Sequence, residues 1–373
     1  MKTLFHPAGH LVIGLSGNTL TSNEQHWIME HKPAGVILFS RNLGTLDEVV
    51  ALIHAIRAAS NPPPTLWLDQ EGGRVQRLRA PLTRYPTAET LGQAYERNPA
   101  RGIQLAHQWG HLCGRELSAL GFGVNCAPVL DLREPGAHPV IGDRAWGQHP
   151  DQVVRLADAW LDGLATSGCM AVGKHFPGHG AAMVDSHRHL PVIEKDREEL
   201  ESRELLPFRQ LAPKLPAMMT AHLIAKALDA HQPATWSPEI MTRLLRHQWG
   251  YQGLLVSDAI EMAALDGDLQ TRTQRAIQAG CDLVLCCTGS MADNEAARLG
   301  VLAAWETRLS QPNRGPKYNT EEIGSLLDSY RIAPGDWRKL LSDPDYQYQR
   351  QQLEALSNAP LGADPTSGTS TIR

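Results

Sequence analysis

The apolar positions of this 373-residue chain gather into eight short runs separated by amphipathic stretches. The runs are 10–16 (HLVIGLS), 34–40 (AGVILFS), 65–71 (TLWLDQE), 125–132 (NCAPVLDL), 169–176 (CMAVGKHF), 217–224 (AMMTAHLI), 253–260 (GLLVSDAI) and 281–287 (CDLVLCC). They are continuous rather than alternating, as strands buried on both faces of a parallel sheet are. Between them apolar residues recur at helical spacing. Leu46, Val49, Val50 and Ile53 share a face behind a Thr45–Glu48 capping-box pair. Leu105, Trp109, Leu112, Cys113 and Leu120 make a second stripe, and Val153, Ala157, Trp160, Leu161 and Leu164 a third. Strands alternating with helices predict βα units, and eight of them predict a single-domain (β/α)8 TIM-type barrel. An open doubly wound sheet would ask for a glycine-rich turn after the first strand, and LSGNTL matches GxGxxG poorly. The barrel is expected over 1–345, with 346–373 as a C-terminal extension whose last ~14 small and polar residues are expected to be disordered.

Several runs end in a polar, chemically capable residue: Asp69, Asp131, Lys174 with His175, His222 and Asp258. Barrel enzymes carry their chemistry at the C-terminal ends of the strands. Repeated charge at such positions is costly unless each one is paired or used. The stretches 72–100, 133–150 and 177–196 are long enough to shape a pocket over that end.

Charge and composition narrow the class. The chain has 35 Lys and Arg against 40 Asp and Glu, a net charge of −5, so neither nucleic acid nor an anionic membrane is expected as partner. No run approaches ~20 apolar residues, and the N-terminal apolar stretch is too short for a signal peptide. Six scattered cysteines without a CxxC read as buried thiols in a reducing compartment, so a cytoplasmic location is expected; a monomer is expected as well, though no residue pattern carries that.

The densest constellation is 173–191, GKHFPGHGAAMVDSHRHLP. His175 and His179 have the spacing of a zinc pair on a helix, but Pro177 and Gly178 break any helix there, so no metal is expected. Asp185 and His187 read as an acid/base pair, the carboxylate fixing the imidazole tautomer, or as a capping Asp beside a surface His. Asp258 is a nucleophile, a metal ligand or the N-cap of the next helix. Asp69 is placed to accept from sugar hydroxyls; Arg144 either holds a carbonyl or carboxylate or pairs with Asp143. Lys174 and His175 are donors toward a polyhydroxylated ligand, with a Schiff-base role for Lys174 as the rival. Gly72 and Gly73 weakly suggest a phosphate cradle.

DQEGGRVQRL (69–78), IGDRAWG (141–147), KHFPGHG (174–180) with DSH (185–187), and VSDAIEM (256–262) together resemble the family 3 glycoside hydrolases. Within that family the chain is most similar to the bacterial single-domain β-N-acetylglucosaminidases of cell-wall recycling. GVILFSRN, NCAPVLDL, MTAHL, PATWSPEI and AGCDLVL agree, over about residues 10–345. The resemblance implies a retaining double displacement on a small carbohydrate, a disaccharide or muropeptide. It implies Asp258 as nucleophile and His187 as acid/base with Asp185 as its partner. It also implies Asp69, Arg77, Arg144, Lys174 and His175 as the groups holding the sugar, and no cofactor. Ala259 stands where many relatives carry a second acid, which leaves the nucleophile less ambiguous.

Overall fold

The computed structural model describes residues 6–186, 188–310 and 315–358. His187 and the predicted tail fall outside them. In chain order come β1 (Leu11–Gly14), α1 (Ser22–His31), β2 (Gly35–Ile37), α2 (Leu46–Ala58) and β3 (Thr65–Leu68). Then follow α3 (Ala88–Arg97), α4 (Pro99–Leu120), β4 (Val124–Asn125), α5 (Pro150–Ala165) and β5 (Met170–Phe176). After α6 (Arg197–Ser202) and α7 (Leu205–Leu211) come β6 (Ala217–Thr220), a π-helical segment (Glu239–Gln248) and β7 (Leu254–Ala259). The barrel ends with α8 (Leu269–Ala279), β8 (Leu283–Cys286) and α9 (Met291–Ser310). Among the described residues three more helices follow: α10 (Thr320–Leu327), α11 (Trp337–Ser342) and α12 (Pro344–Asn358).

The eight strands pair in parallel and close into a barrel, β8 meeting β1 through Val12 opposite Leu285. Each falls within or beside one of the eight apolar runs. Inside the barrel, Val12, Ile37, Trp67, Val172, Met219, Val256 and Leu285 pack against one another, and Ile323 and Leu327 of α10 join them. The outward faces of the strands pack on the helices through Ile13, Leu68, Leu112, Trp160 and Ile277. Both faces are therefore dry, which is why the runs are continuous in sequence.

Local signals set the helix ends. The Thr45 side chain accepts from the Glu48 amide and Glu48 reaches back to Thr45, the reciprocal cap that the sequence predicts. Of its stripe, Leu46, Val49 and Ile53 are buried and Val50 is partly buried. Asn98 caps α4, Pro99 opens it, and Gly121 ends it at φ 94°, a conformation other residues adopt only with strain.

One run is longer than its strand. Only Val124 and Asn125 belong to β4, because the chain turns tightly after them, the Ala127 amide donating back to Asn125 O at 2.8 Å. Residues 127–130 still run beside β5, with Leu130 N donating to Lys174 O at 2.6 Å, and this delivers Asp131 to the rim. Past residue 345 the chain keeps packing: Tyr346 and Leu353 of α12 are buried in the outer core.

Candidate active site

A cavity of about 740 Å³ opens over the C-terminal ends of the strands. Its lining includes Asp69, Arg77, Arg144, Lys174, His175, Asp185 and Asp258, so seven of the eight residues singled out above share one cavity. The eighth, His187, lies outside the described residues. A second cavity of about 720 Å³ lies at the opposite end of the barrel, lined by Arg209, Lys214, Trp249, Tyr251, Leu326 and Tyr330 among others.

After β3 the chain turns into a tight hairpin, Gln70–Gly72 against Val75–Gln76. Gly72 has φ 103°, and a Cβ there would stand 2.4 Å from the Trp109 ring, so the turn admits only glycine. The hairpin holds Asp69 and Glu71 on the cavity side, two residues apart as extended backbone requires. Lys174 Nζ reaches both, Asp69 Oδ1 at 2.9 Å and Glu71 Oε1 at 2.6 Å. Arg77 Nη2 donates to Asp69 Oδ2 at 3.1 Å. Arg144 forks onto Glu71, Nε to Oε2 at 2.7 Å and Nη2 to Oε1 at 2.8 Å.

Two carboxylates thus face three cations. Burial pushes the Asp69 and Glu71 carboxyls up, but Lys174 with Arg77 at Asp69, and Arg144 with Lys174 at Glu71, outweigh it and leave both below their usual range. Burial pulls Lys174 down, but Asp69 and Glu71 hold it above its usual value, so the ammonium stays charged. That protonation disfavours the Schiff-base amine. Lys174 has three N–H donors and gives two to carboxylates, leaving one for a ligand oxygen.

A second knot lies beside the first. Asp131 is buried and accepts His175 Nδ1 at 2.6 Å and the His179 amide at 2.6 Å. His175 is thereby turned so that Nε2 faces Arg144 Nη2 at 3.4 Å. His179 points instead to Ser186 Oγ at 2.9 Å, and burial lowers its pKa to about 4. Among the described residues no group of three His, Cys, Asp or Glu side chains is arranged to hold a metal ion.

Asp258 ends β7. Its Oδ1 accepts the Ala259 amide at 2.7 Å. Burial raises its carboxyl, and His175, His222, the Ala259 amide and Lys174 together outweigh that, so it stays ionised below its usual value. It does not cap the next helix, since α8 begins at Leu269 behind its own cap, Asp268. Arg144 does not pair with Asp143, which binds Arg74 at 2.7 Å. Asp185 lines the cavity mouth two positions before His187.

Two acids of the cavity carry no role in the sequence reading. Glu71 sits inside the quoted motif, and its spacing from Asp69 was the available signal. Glu261 lines the cavity three residues past Asp258 and accepts the Cys287 amide at 3.1 and 3.2 Å. Burial raises its carboxyl, with Asp258 adding to the effect. Ala259 removes one acid beside Asp258, and Glu261 supplies another. All six cysteines are free and buried, and among the described residues no helix is long and apolar enough to cross a membrane.

Residues 10–304 match the glycosyl hydrolase family 3 N-terminal domain. A β-hexosaminidase of Alkalilimnicola ehrlichii is 46% identical over 282 residues, 75% of this chain and 80% of that protein. A β-hexosaminidase of Bordetella avium is 37% identical over 350 residues, 92% of this chain and 95% of that one. Among solved structures, native NagZ of Neisseria gonorrhoeae superposes with a TM-score of 0.83 at 30% identity, over 94% of this chain and 98% of that one. A family 3 β-N-acetylglucosaminidase of Paenibacillus gives 0.84 at 30% identity, over 96% of this chain and 69% of that one. The matched domain and these relatives together show that the chain belongs to the family 3 glycoside hydrolases, as an enzyme of the β-hexosaminidase kind.

Proposed function

We propose that this enzyme releases terminal, non-reducing β-N-acetylglucosamine from muropeptides carrying 1,6-anhydro-N-acetylmuramic acid, in the cytoplasm. Asp258 attacks the anomeric carbon while His187, oriented by Asp185, gives its proton to the leaving oxygen. His187 then takes a proton from water, the hydroxyl oxygen attacks the same carbon, and Asp258 is freed. Two inversions retain the configuration. A histidine titrating near neutrality serves both proton steps.

The observation that carries this reading is the ionised Asp258 facing the Asp69–Lys174–Arg77 knot across one cavity. A nucleophile must be unprotonated, and the nearby positive charge keeps it so. Asp69 and Lys174 offer an acceptor and a donor for vicinal hydroxyls, and Arg144 and His175 line the adjoining wall. Support for the N-acetyl sugar comes from the NagZ of Neisseria gonorrhoeae solved with N-trifluoroacetyl-D-glucosamine, at 29% identity and a TM-score of 0.82 over 94% of this chain and 98% of that one.

The test compares 4-nitrophenyl N-acetyl-β-glucosaminide with the matching β-glucoside, with and without phosphate. Free N-acetylglucosamine in both buffers is expected. Preference for the glucoside overturns the cell-wall assignment, and sugar 1-phosphate as main product makes the enzyme a phosphorylase.

A further inference from the structure

The loop 77–87 carries Arg77 at one end and hangs from buried polar side chains throughout. Gln70 Oε1 accepts the amides of Arg77 and Leu78, each at 3.0 Å, while its Nε2 donates to Leu78 O. Gln76 Nε2 donates to Leu78 O and Thr83 O, each at 2.7 Å, and its Oε1 accepts the Tyr85 amide. Beneath the loop, Glu116 of α4 is buried among three donors. Its Oε1 takes the Thr83 amide at 2.8 Å and Tyr346 Oη at 2.6 Å, and its Oε2 takes Tyr85 Oη at 2.9 Å. Tyr346 belongs to α12. The same helix reaches the loop at three more points: Arg350 Nη1 to Pro81 O, Glu354 Oε1 to the Arg84 amide, and Ser357 Oγ to Arg84 O. The Tyr85 ring stacks on Trp109 at 5.7 Å and 8°. Burial and Glu116 hold both tyrosine hydroxyls above their usual pKa, so both remain donors.

Helix α12 lies forty residues beyond the part of the chain that matches the family domain. Its buried face nevertheless ends on the backbone that presents Arg77 to Asp69. We infer that α12 is part of the sugar-binding apparatus, with Tyr346 and Glu116 as positioning residues that hold the 77–87 loop and, through it, Arg77. This rests on the reading of Asp69 and Arg77 as sugar-holding groups. A buried carboxylate with three donors fixes the loop in one arrangement, because any other leaves a buried polar group unpaired.

The test is a double-mutant cycle on the full chain with 4-nitrophenyl N-acetyl-β-glucosaminide. Y346F keeps the ring and removes one donor. Its KM is expected to rise roughly three- to tenfold, the weight of one hydrogen bond, with kcat within about twofold. In an R77A background the same change should add almost nothing to KM. V301A, a cavity in α9 away from the loop, should lower Tm and leave KM unchanged. The inference is overturned if Y346F leaves KM unchanged, multiplies it equally with and without Arg77, or is matched by V301A. An unchanged KM in R77A alone overturns the sugar-holding reading and this inference with it. A raised KM in R77A beside an unchanged one in Y346F removes the inference only.

Discussion

The two ends of this barrel hold cavities of nearly equal size, about 740 and 720 Å³, and almost opposite chemistry. The C-terminal mouth is lined by Asp69, Glu71, Asp185, Asp258 and Glu261 against Arg41, Arg74, Arg77, Arg144 and Lys174. The N-terminal cavity has Arg209 and Lys214 and, among the described residues, no Asp, Glu or His in its lining. Volume therefore does not mark the site. What marks it is the convergence of titratable groups from different strands, with Asp69, Glu71, Lys174 and Asp258 each shifted by charged neighbours. The same strands feed both ends, so the asymmetry comes from which residue each run places last.

Substitutions can break that contrast. The largest effect belongs to D258N, which keeps shape and removes the charge. kcat for the N-acetylglucosaminide is expected to fall by roughly 10³-fold or more, with the circular dichroism spectrum unchanged. Near wild-type turnover would remove Asp258 as nucleophile.

Next is E71Q. Truncating one partner of a buried ion network costs about 3–5 kcal/mol, because Arg144 then loses its carboxylate partner and Lys174 one of its two. The effect should depend on pH. The Glu71 carboxyl lies lower in the folded chain than in the unfolded one. Its stabilisation is thus complete above the unfolded carboxylate range, near pH 4, and is lost as pH falls toward the folded value. Thermal unfolding from pH 3 to 7 should show a shallower acid decline in E71Q than in the wild type. Parallel curves would show that Glu71 is not the source of that acid sensitivity.

The smallest effect tests the other cavity. Leu326 is 43% exposed at its edge. L326S should leave kcat/KM within about twofold and stability within ~0.5 kcal/mol. A tenfold loss of activity would mean the N-terminal end takes part in the reaction.

The frame was legible in the sequence because a strand buried on both faces must be apolar throughout, and because its last residue breaks that run visibly. Asp69, Lys174 and Asp258 announce themselves in that way. The links between them do not. Glu71 finds Arg144 and Asp131 finds His175 across separations of 73 and 44 residues, and no local pattern records which strands will be neighbours. Nor does composition distinguish Glu116, an ordinary helical acid by sequence, from a carboxylate sealed among two tyrosines. The fourth run shows the opposite limit: its apolar residues are buried as read, but the tight turn at 125–127 interrupts the ladder.

The interior packing beneath the mouth has a further consequence. Trp67, Val172, Met219 and Leu285 fill the barrel, and Ile323 and Leu327 of α10 stopper it from below. The cavity is a blind alley. A molecule that enters the cavity must leave along the path it came, because the packed interior closes its base.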